Sequence, residues 1–229
     1  MSHRVAPWEA RWALQPSVTP TLRDRGYHGD EVSDLDLFLA STSPRRRDLL
    51  TQAGLRFALC APGPEYEADG DEHVGAPGEP LRLAVERATR KGMGASSPDP
   101  RVPVLAVDTV VDLDGQELGK PRDLAEAEAM LRMLAGRRHC VHTAHFLRHL
   151  ASGHAGLAVA SAEVECGLPA AAELQRYLAS GQWRGKAGGY GVQDDAQSFF
   201  RVVSGRFDTV VGLSVAAVRD LLAQLRAAR

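Results

Sequence analysis

The chain has 229 residues, of which 44% are hydrophobic and 24% charged, and its formal net charge is −2. This composition is typical of a soluble globular protein with a sizeable core. The near-neutral charge and the lack of any apolar run approaching the ~20 residues of a membrane span argue against nucleic-acid and membrane partners. Any anion site must therefore be built locally.

The first 33 residues lack the apolar segment of a signal peptide and mix basic with acidic side chains. We predict that residues 1–33 form a poorly ordered extension and that residues 34–229 form one domain. Three cysteines, Cys60, Cys140 and Cys166, are an odd number without a close pair. This pattern favours free thiols in a cytoplasmic protein.

The first elements follow from local signals. The apolar run at 34–40 predicts a buried strand. Ser43 is then a good N-cap and Pro44 a good first residue for a helix, which Gly54 ends. Next we expect a strand at 56–60, a loop within 61–80 and a helix at about 79–95.

The second half of the chain predicts a mixed α/β fold. Residues 103–118 are strand-like, with Asp114-Gly115 as a hairpin turn. Asp123 and Glu126 form a capping box for a helix. That helix runs through Leu134, and its apolar face comprises Leu124, Ala127, Leu131 and Leu134. We further expect long strands at 139–149 and 155–166, a helix from Pro169 to about Ser180, a glycine-rich loop at 185–191, a strand in "SFFRVV" and a closing helix at 215–226.

Three arginines, Arg45, Arg46 and Arg47, fall in the first turn of the first predicted helix. The helix dipole makes each positive charge unfavourable there, by about 0.3–1 kcal/mol. A bound anion would reverse this effect, because free backbone N–H groups and guanidinium forks together form a phosphate site. In the alternative interpretation solvent screens the three side chains, or Asp48 pairs with one of them, and no anion binds.

Two further clusters contain side chains of the types that act in catalysis and ligand binding. Asp108 lies within the apolar strand "AVDTVV", where a carboxylate needs partners or a purpose unless it faces solvent from an edge strand. Lys120 follows the hairpin, and Lys186 and Gln193 belong to the glycine-rich loop, whose backbone can approach a ligand closely. Together these clusters offer cations for phosphates, a carboxylate for metal or water and an amide for a base edge, which suits phosphoanhydride hydrolysis.

Three long stretches resemble the Maf family of nucleoside triphosphate pyrophosphatases. They are "LASTSPRRRDLL", "AVDTVVDLDGQELGKPRDLAEAEAMLRMLAGRRHCVHTA" and "GKAGGYGVQ" with the later "VVGL". The resemblance covers about residues 36–226. It implies an elongated mixed α/β fold like that of inosine triphosphate pyrophosphatases, with a central mixed sheet flanked by helices. It also implies cleavage of a nucleoside triphosphate to monophosphate and pyrophosphate, a divalent metal (Mg²⁺ or Mn²⁺) and a cytoplasmic location, and it allows for a homodimer.

The same resemblance implies roles for individual residues. Asp108 would accept the proton of the attacking water and bind metal. The other groups would bind or neutralise the nucleotide: Ser41, Arg45, Arg46, Lys91, Thr109, Lys120, Lys186 and Gln193. A second metal-binding acid is expected in the loop after the second strand. Glu65 fits the spacing from Phe57, whereas Glu72 fits the spacing to Lys91.

Residues that differ between branches of the family indicate the substrate. Arg45-Arg46, Asp108-Thr109 and Gln193 match the dTTP/UTP branch rather than the 7-methyl-GTP branch. An amide such as Gln193 matches both the donor and the acceptors of uracil or thymine, whereas a carboxylate can only accept. Modified pyrimidines such as 5-methyl-UTP or pseudo-UTP would also be substrates if the pocket leaves room at C5.

The chain departs from the family where Asp194-Asp195 follow Gln193 in place of the usual glycine. Negative charge there would weaken phosphate binding or shift specificity. The alternatives left open are a 7-methyl-GTP pyrophosphatase, a phosphatase that releases inorganic phosphate, and a non-catalytic nucleotide-binding regulator of cell division.

Four histidines, at 139, 142, 145 and 149, raise the question of a zinc site. In a strand, His139 and His145 share one face and His142 takes the other. Cys140 lies opposite His139. We therefore expect solvent-facing or cross-strand histidines rather than a metal cage.

Overall fold

A computed structural model describes residues 34–63 and 79–228 of the chain. The strands are β1 (Leu37–Leu39), β2 (Phe57–Leu59), β3 (Val104–Leu113), β4 (Gln116–Leu118), β5 (Arg138–His149), β6 (His154–Cys166) and β7 (Phe200–Ser204). The helices are α1 (Pro44–Gln52), α2 (Pro80–Met93), α3 (Leu124–Leu134), α4 (Ala171–Ser180), α5 (Phe207–Val211) and α6 (Val215–Ala227). The predicted extension at 1–33 lies outside the described residues.

One mixed sheet of seven strands organises this part of the chain, in the order β2-β1-β3-β5-β6-β7, with β4 paired to β3. Strand β1 runs parallel to both β2 and β3. From β3 onward the neighbours β5, β6 and β7 are antiparallel. The predicted mixed α/β fold and the long β5-β6 hairpin are therefore confirmed.

Each face of the sheet carries a hydrophobic cluster. Helices α1 and α6 contribute Leu50 and Leu221 to a large cluster with the β3 residue Val107. Helix α2 contributes Ala84 to a separate cluster with Val110 of the same strand. Because side chains alternate between the two faces of a strand, α2 lies across the sheet from α1 and α6.

Most of the local turn and cap signals are confirmed. Asp114 and Gly115 have φ values of 53° and 84°, as a two-residue hairpin with a primed turn requires. Asp123 Oδ1 accepts a hydrogen bond of 2.8 Å from the Glu126 N–H at the start of α3. The expected apolar face of α3 is wrong at Leu124, which is 51% exposed. Leu124 is the first helical residue, and burial begins one turn later at Ala127.

The histidines of β5 are buried, so the solvent-facing expectation is wrong. This strand lies inside the sheet, between β3 and β6. His142 contacts Ser161 across the β5-β6 pair at 2.7 Å, as the cross-strand alternative requires. His139 lies 2.6 Å from the Tyr190 hydroxyl, and burial lowers the pKa of His139 to about 4.

His145 connects β5 to the start of α6. Its Nε2 accepts a hydrogen bond of 2.8 Å from the Ser214 N–H, and its Nδ1 lies 3.4 Å from the Ala158 carbonyl. Burial lowers the pKa of His145 to about 4, so the ring is neutral at pH 7. A neutral ring is what an Nε2 acceptor requires.

The short helix α5 was not predicted, because its Thr-Val-Val sequence is typical of a strand. Asp208 of α5 accepts hydrogen bonds from the next segment: its carbonyl from Leu213 and its carboxylate from Val215. These bonds hold the turn at Gly212, which is used by the site described below. In the described residues no helix combines the length and apolar character of a membrane span.

Candidate active site

A cleft of about 390 Å³ opens where the N-terminus of α1, strand β3 and the glycine-rich loop meet. Its size lies in the range of ligand pockets, about 300–1,000 Å³. The cleft brings together these predicted site residues: Ser41, Arg45, Arg46, Lys91, Asp108, Thr109, Lys120, Lys186 and Gln193. The predicted metal ligand Glu65 and its alternative Glu72 lie outside the described residues.

The N-terminus of α1 has no acidic residue in its first turn, and the Ser43 side chain makes no capping hydrogen bond. Instead, Ser41 Oγ accepts from the Ser43 N–H at 3.2 Å. Arg45 reaches across the cleft and donates from Nη2 to the Gly185 carbonyl at 3.2 Å. The helix end, with its dipole and N–H groups, therefore lies beside the glycine-rich loop.

Arg46 is held by three segments of the chain. Its Nε donates to the Gly212 carbonyl at 2.9 Å, and its Nη1 to Ser41 Oγ at 3.1 Å. Its Nη2 donates to Thr109 Oγ1 at 3.3 Å. The guanidinium thus adds positive charge to the cleft while fixing Ser41 and Thr109.

A chain of hydroxyl groups extends this arrangement into the core. Thr143 is fully buried, and its hydroxyl donates to the Thr209 carbonyl at 2.8 Å. A hydroxyl has one proton to donate, and Thr143 donates its proton to Thr209. Thr109 must therefore be the donor in the hydrogen bond of 3.1 Å between the Thr109 and Thr143 hydroxyls. The lone pairs of Thr109 Oγ1 therefore face Arg46. Sequence reasoning missed Thr143, because its proximity to Thr109 follows only from the β3-β5 register.

Asp108 is 7% exposed on an interior strand, so the edge-strand interpretation is wrong. Lys91 Nζ lies 2.7 Å from Asp108 Oδ1, and both side chains are largely buried. A buried carboxylate requires such a partner. Gly92 lets α2 approach closely enough, because an added Cβ would overlap the Phe146 ring of β5. Lys91 therefore neutralises Asp108, a contact that the sequence did not predict.

The glycine-rich loop supplies further positive charge. Lys186 forms an ion pair with Asp194. The loop is held against the end of the β3-β4 hairpin by a hydrogen bond of 2.9 Å. The Gly188 N–H donates it to the carbonyl of Gly119, the residue before Lys120. Lys120 itself is exposed and lines the cleft.

Arg184 also lines the cleft and was not predicted. Its guanidinium carbon lies 4.4 Å from the centre of the Trp183 ring. Trp183 is buried, and its indole N–H donates to the Leu178 carbonyl at 3.0 Å. The contact with this fixed aromatic ring stabilises the position of the Arg184 guanidinium. No local sequence signal distinguishes Arg184 from an ordinary surface arginine.

Most of the charged side chains that line the cleft are positive, and they surround one carboxylate. Among the described residues the lining cations are Arg45, Arg46, Lys91, Lys120, Arg184 and Lys186, and the lining carboxylate is Asp108. The same part of the chain holds no cluster of three or more His, Cys, Asp or Glu side chains that fits a metal. One carboxylate still suits Mg²⁺, which binds through one or two carboxylates together with phosphate oxygens and waters.

The fold is mixed α/β, and its cleft is lined by cations drawn from several segments of the chain. A family model described as "Maf-like protein" matches residues 36–225. The chain belongs to the Maf family.

Three similar proteins share one name. The dTTP/UTP pyrophosphatase of Cupriavidus pinatubonensis is 39% identical over 198 residues, 83% of this chain and 96% of that protein. The dTTP/UTP pyrophosphatase of Thermus thermophilus is 42% identical over 186 residues, 81% of this chain and 92% of that protein. The dTTP/UTP pyrophosphatase of Salmonella typhimurium is 40% identical over 193 residues, 84% of this chain and 94% of that protein.

Proposed function

We propose that this protein hydrolyses dTTP and UTP to the nucleoside monophosphate and pyrophosphate, as a house-cleaning enzyme of the nucleotide pool. The observation that carries this proposal is the cleft, in which a buried Asp108 is surrounded by lysines and arginines. Relatives named dTTP/UTP pyrophosphatases, which match this chain over 96% and 92% of their own length, support the choice of substrate.

The triphosphate is bound by the cationic lining. Arg45, Lys120 and Lys186 reach the cleft from three different segments and neutralise the phosphates. The N–H groups at the start of α1 add a partial positive charge at the same place. Arg46 completes this side by holding Ser41 and Thr109 in position.

Asp108 is the proton acceptor of the reaction. A water oxygen attacks the α phosphorus, its proton passes to the Asp108 carboxylate, and the bond to the β-phosphate oxygen breaks. Pyrophosphate leaves with the electrons of that bond, and the monophosphate retains the new oxygen. Lys91 holds the carboxylate in place by its bond of 2.7 Å to Oδ1. The anhydride is already activated, so positioning and charge stabilisation account for most of the catalysis.

A divalent metal, Mg²⁺ or Mn²⁺, belongs to this proposal. Asp108 would hold it together with an acid of the preceding loop, Glu65 by the sequence spacing. When bound, the metal supplies positive charge that polarises the phosphate oxygens. The single lining carboxylate and the phosphate oxygens of a substrate suit the oxygen donors that Mg²⁺ prefers.

Gln193 reads the base. Its amide offers both a donor and an acceptor, as uracil and thymine require.

We further propose a cytoplasmic location, which the free thiols of Cys60, Cys140 and Cys166 support. We also propose that the protein forms a homodimer. Exposed Leu157 and Val159 give β6 an apolar surface that a second copy would cover.

The test is product analysis with the purified protein, Mg²⁺ or Mn²⁺, and a panel of dTTP, UTP, CTP, 7-methyl-GTP and ITP. We expect pyrophosphate and monophosphate from dTTP and UTP, and a loss of about 10²–10⁴-fold in Asp108→Asn. Asp112→Asn is the matched control, because Asp112 lies on the same strand and does not line the cleft.

Other products would contradict parts of the proposal. A preference for 7-methyl-GTP would overturn the substrate, and release of inorganic phosphate would overturn the bond cleaved. Nucleotide binding without turnover would favour the non-catalytic regulator.

A further inference from the structure

Three polar groups converge beside Gly191. A Cβ added to this glycine would lie 2.6 Å from Asp194 Oδ2, 2.7 Å from Gln193 Nε2 and 2.9 Å from Lys186 Nζ. The three groups therefore meet at a glycine, where a side chain would displace them. Lys186 and Gln193 belong to the lining of the cleft, and the Asp194 carboxylate lies outside that lining.

The Asp194 carboxylate is fixed from several directions. Its Oδ1 accepts a hydrogen bond of 3.0 Å from the Ala196 N–H, at the start of a short 3-10 turn. Its Oδ2 pairs with Lys186 and lies 3.5 Å from the Tyr177 hydroxyl. The side chains of Asp194 and Lys186 are each 12% exposed. A carboxylate held in this way presents its charge to Lys186 in one orientation.

The charges around Lys186 oppose one another. Burial lowers the pKa of Lys186, and the positive charge of Arg45 lowers it further. The hydrogen bond and charge of Asp194 raise this pKa, and the charge of Asp195 raises it least. A lysine that lost its proton would no longer attract phosphates, so the carboxylate of Asp194 counteracts the cost of placing Lys186 beside Arg45.

We propose that Asp194 is a positioning residue that keeps the Lys186 ammonium charged and directed at the cleft, beside Gln193. The consequence for catalysis rests on the function proposed above. In this proposal Asp194 favours phosphate binding through Lys186, whereas the sequence alone suggested that its negative charge weakens phosphate binding. The family's usual glycine at this position offers no such counter-charge.

The matched pair Asp194→Asn and Asp195→Asn tests this proposal. Asparagine keeps an oxygen acceptor for the Ala196 N–H and removes the charge together with the second acceptor oxygen, which faces Lys186. Asp195 is exposed, and its carboxylate pairs with Gln182 Nε2 at 2.8 Å. The full chain, without nucleotide, is labelled with acetic anhydride over a neutral to alkaline pH series, and acetylation of Lys186 is followed by mass spectrometry.

We expect the pKa of Lys186 to fall by about 1–3 in Asp194→Asn, the usual effect of removing an adjacent opposite charge. It should fall much less in Asp195→Asn, because the charge of Asp195 contributes least to the pKa of Lys186. With dTTP, the alkaline limb of kcat/KM should move to lower pH by the same amount in Asp194→Asn, because activity is lost as pH rises through the pKa of Lys186. Circular dichroism checks that both variants are folded.

Equal labelling curves for the two variants would overturn the proposal. A rise of kcat/KM in Asp194→Asn at every pH, without a shifted limb, would also overturn it and would indicate that Asp194 competes with phosphate for Lys186. If the wild-type protein turned over no nucleotide, the proposed function would fail, while the labelling result would still decide the role of Asp194.

Discussion

The helices α1 and α3 begin in opposite ways. At α3, Asp123 caps the Glu126 N–H, and Glu126 places a negative charge in the first turn. At α1, the Ser43 side chain makes no capping bond, and the first turn is basic. The helix dipole stabilises the first arrangement and opposes the second. The N-terminus of α3 is satisfied internally, whereas that of α1 is suited to an external anion.

Tertiary contacts explain why the basic end of α1 is tolerated. Arg45 and Arg46 do not extend into solvent but donate to the carbonyls of Gly185 and Gly212. These carbonyl dipoles compensate part of the charge and hold both guanidinium groups in the cleft. One helix N-terminus is therefore capped internally, whereas the other is left uncapped beside the cleft.

Replacing Arg46 by lysine should give the largest effect on the α1 side of this comparison. Lysine keeps the charge but cannot make the three directed bonds to Gly212, Ser41 and Thr109. We expect kcat/KM for dTTP to fall by about 10²-fold, as misplacement of a site commonly produces. Steady-state pyrophosphate release measures this.

The control is Arg122→Lys, at the start of α3, where an exposed arginine pairs with Glu126. Its effect on kcat/KM should be within experimental error, because exposed ion pairs contribute about 0–1 kcal/mol and neither residue of this pair lines the cleft. An equal loss in the two variants would remove the distinction between the helices.

Ser43→Asp would give α1 the acidic cap that α3 already has. The carboxylate should stabilise the fold by about 0.3–1 kcal/mol, through the dipole and the neighbouring arginines. It would also occupy the anion position, so we expect KM for dTTP to rise about tenfold, equivalent to about 1.4 kcal/mol of binding. Thermal unfolding and initial rates measure the two effects.

Ser43→Asn separates cap from charge, since asparagine can cap without carrying charge. It should raise KM less than Ser43→Asp does, because its cap occupies a free N–H group of α1 but adds no negative charge. If Ser43→Asp were more stable but bound substrate as well as wild type, the N-terminus of α1 would not be the phosphate site.

Asp123→Ala should give the smallest effect on activity, because its effect is confined to stability. Losing the cap on α3 should lower the free energy of unfolding by about 0.5–2 kcal/mol. The value of kcat/KM should not change, because Asp123 does not line the cleft. Urea unfolding and pyrophosphate release are the measurements, and a large loss of activity in the folded variant would contradict the assignment.

Local signals in the sequence predicted much of the architecture and several of the residues that line the cleft. The turn at Asp114-Gly115 and the cap at Asp123 are short-range effects of backbone geometry, so residue type alone predicts them. A carboxylate in an apolar strand and arginines at a helix start stand out for the same reason, since each is locally unfavourable. The candidates Asp108 and Arg46 were therefore visible without a structure.

Burial and pairing were decided by the tertiary structure. The histidines of β5 looked exposed from their own strand, but the neighbours β3 and β6 and the packed helices bury them. Helix α5 formed against its strand-like sequence, because its bonds to the following turn outweigh a weak local preference.

The partners of the site residues were likewise decided only by the tertiary structure. Thr109 meets Thr143 through strand register, and Lys91 meets Asp108 because α2 packs closely on the sheet. Asp194 followed Gln193 in the sequence as an unexplained departure and became the counter-charge of Lys186 in the folded loop. Residue types reveal which groups are costly to place, whereas register and packing determine which group compensates each one.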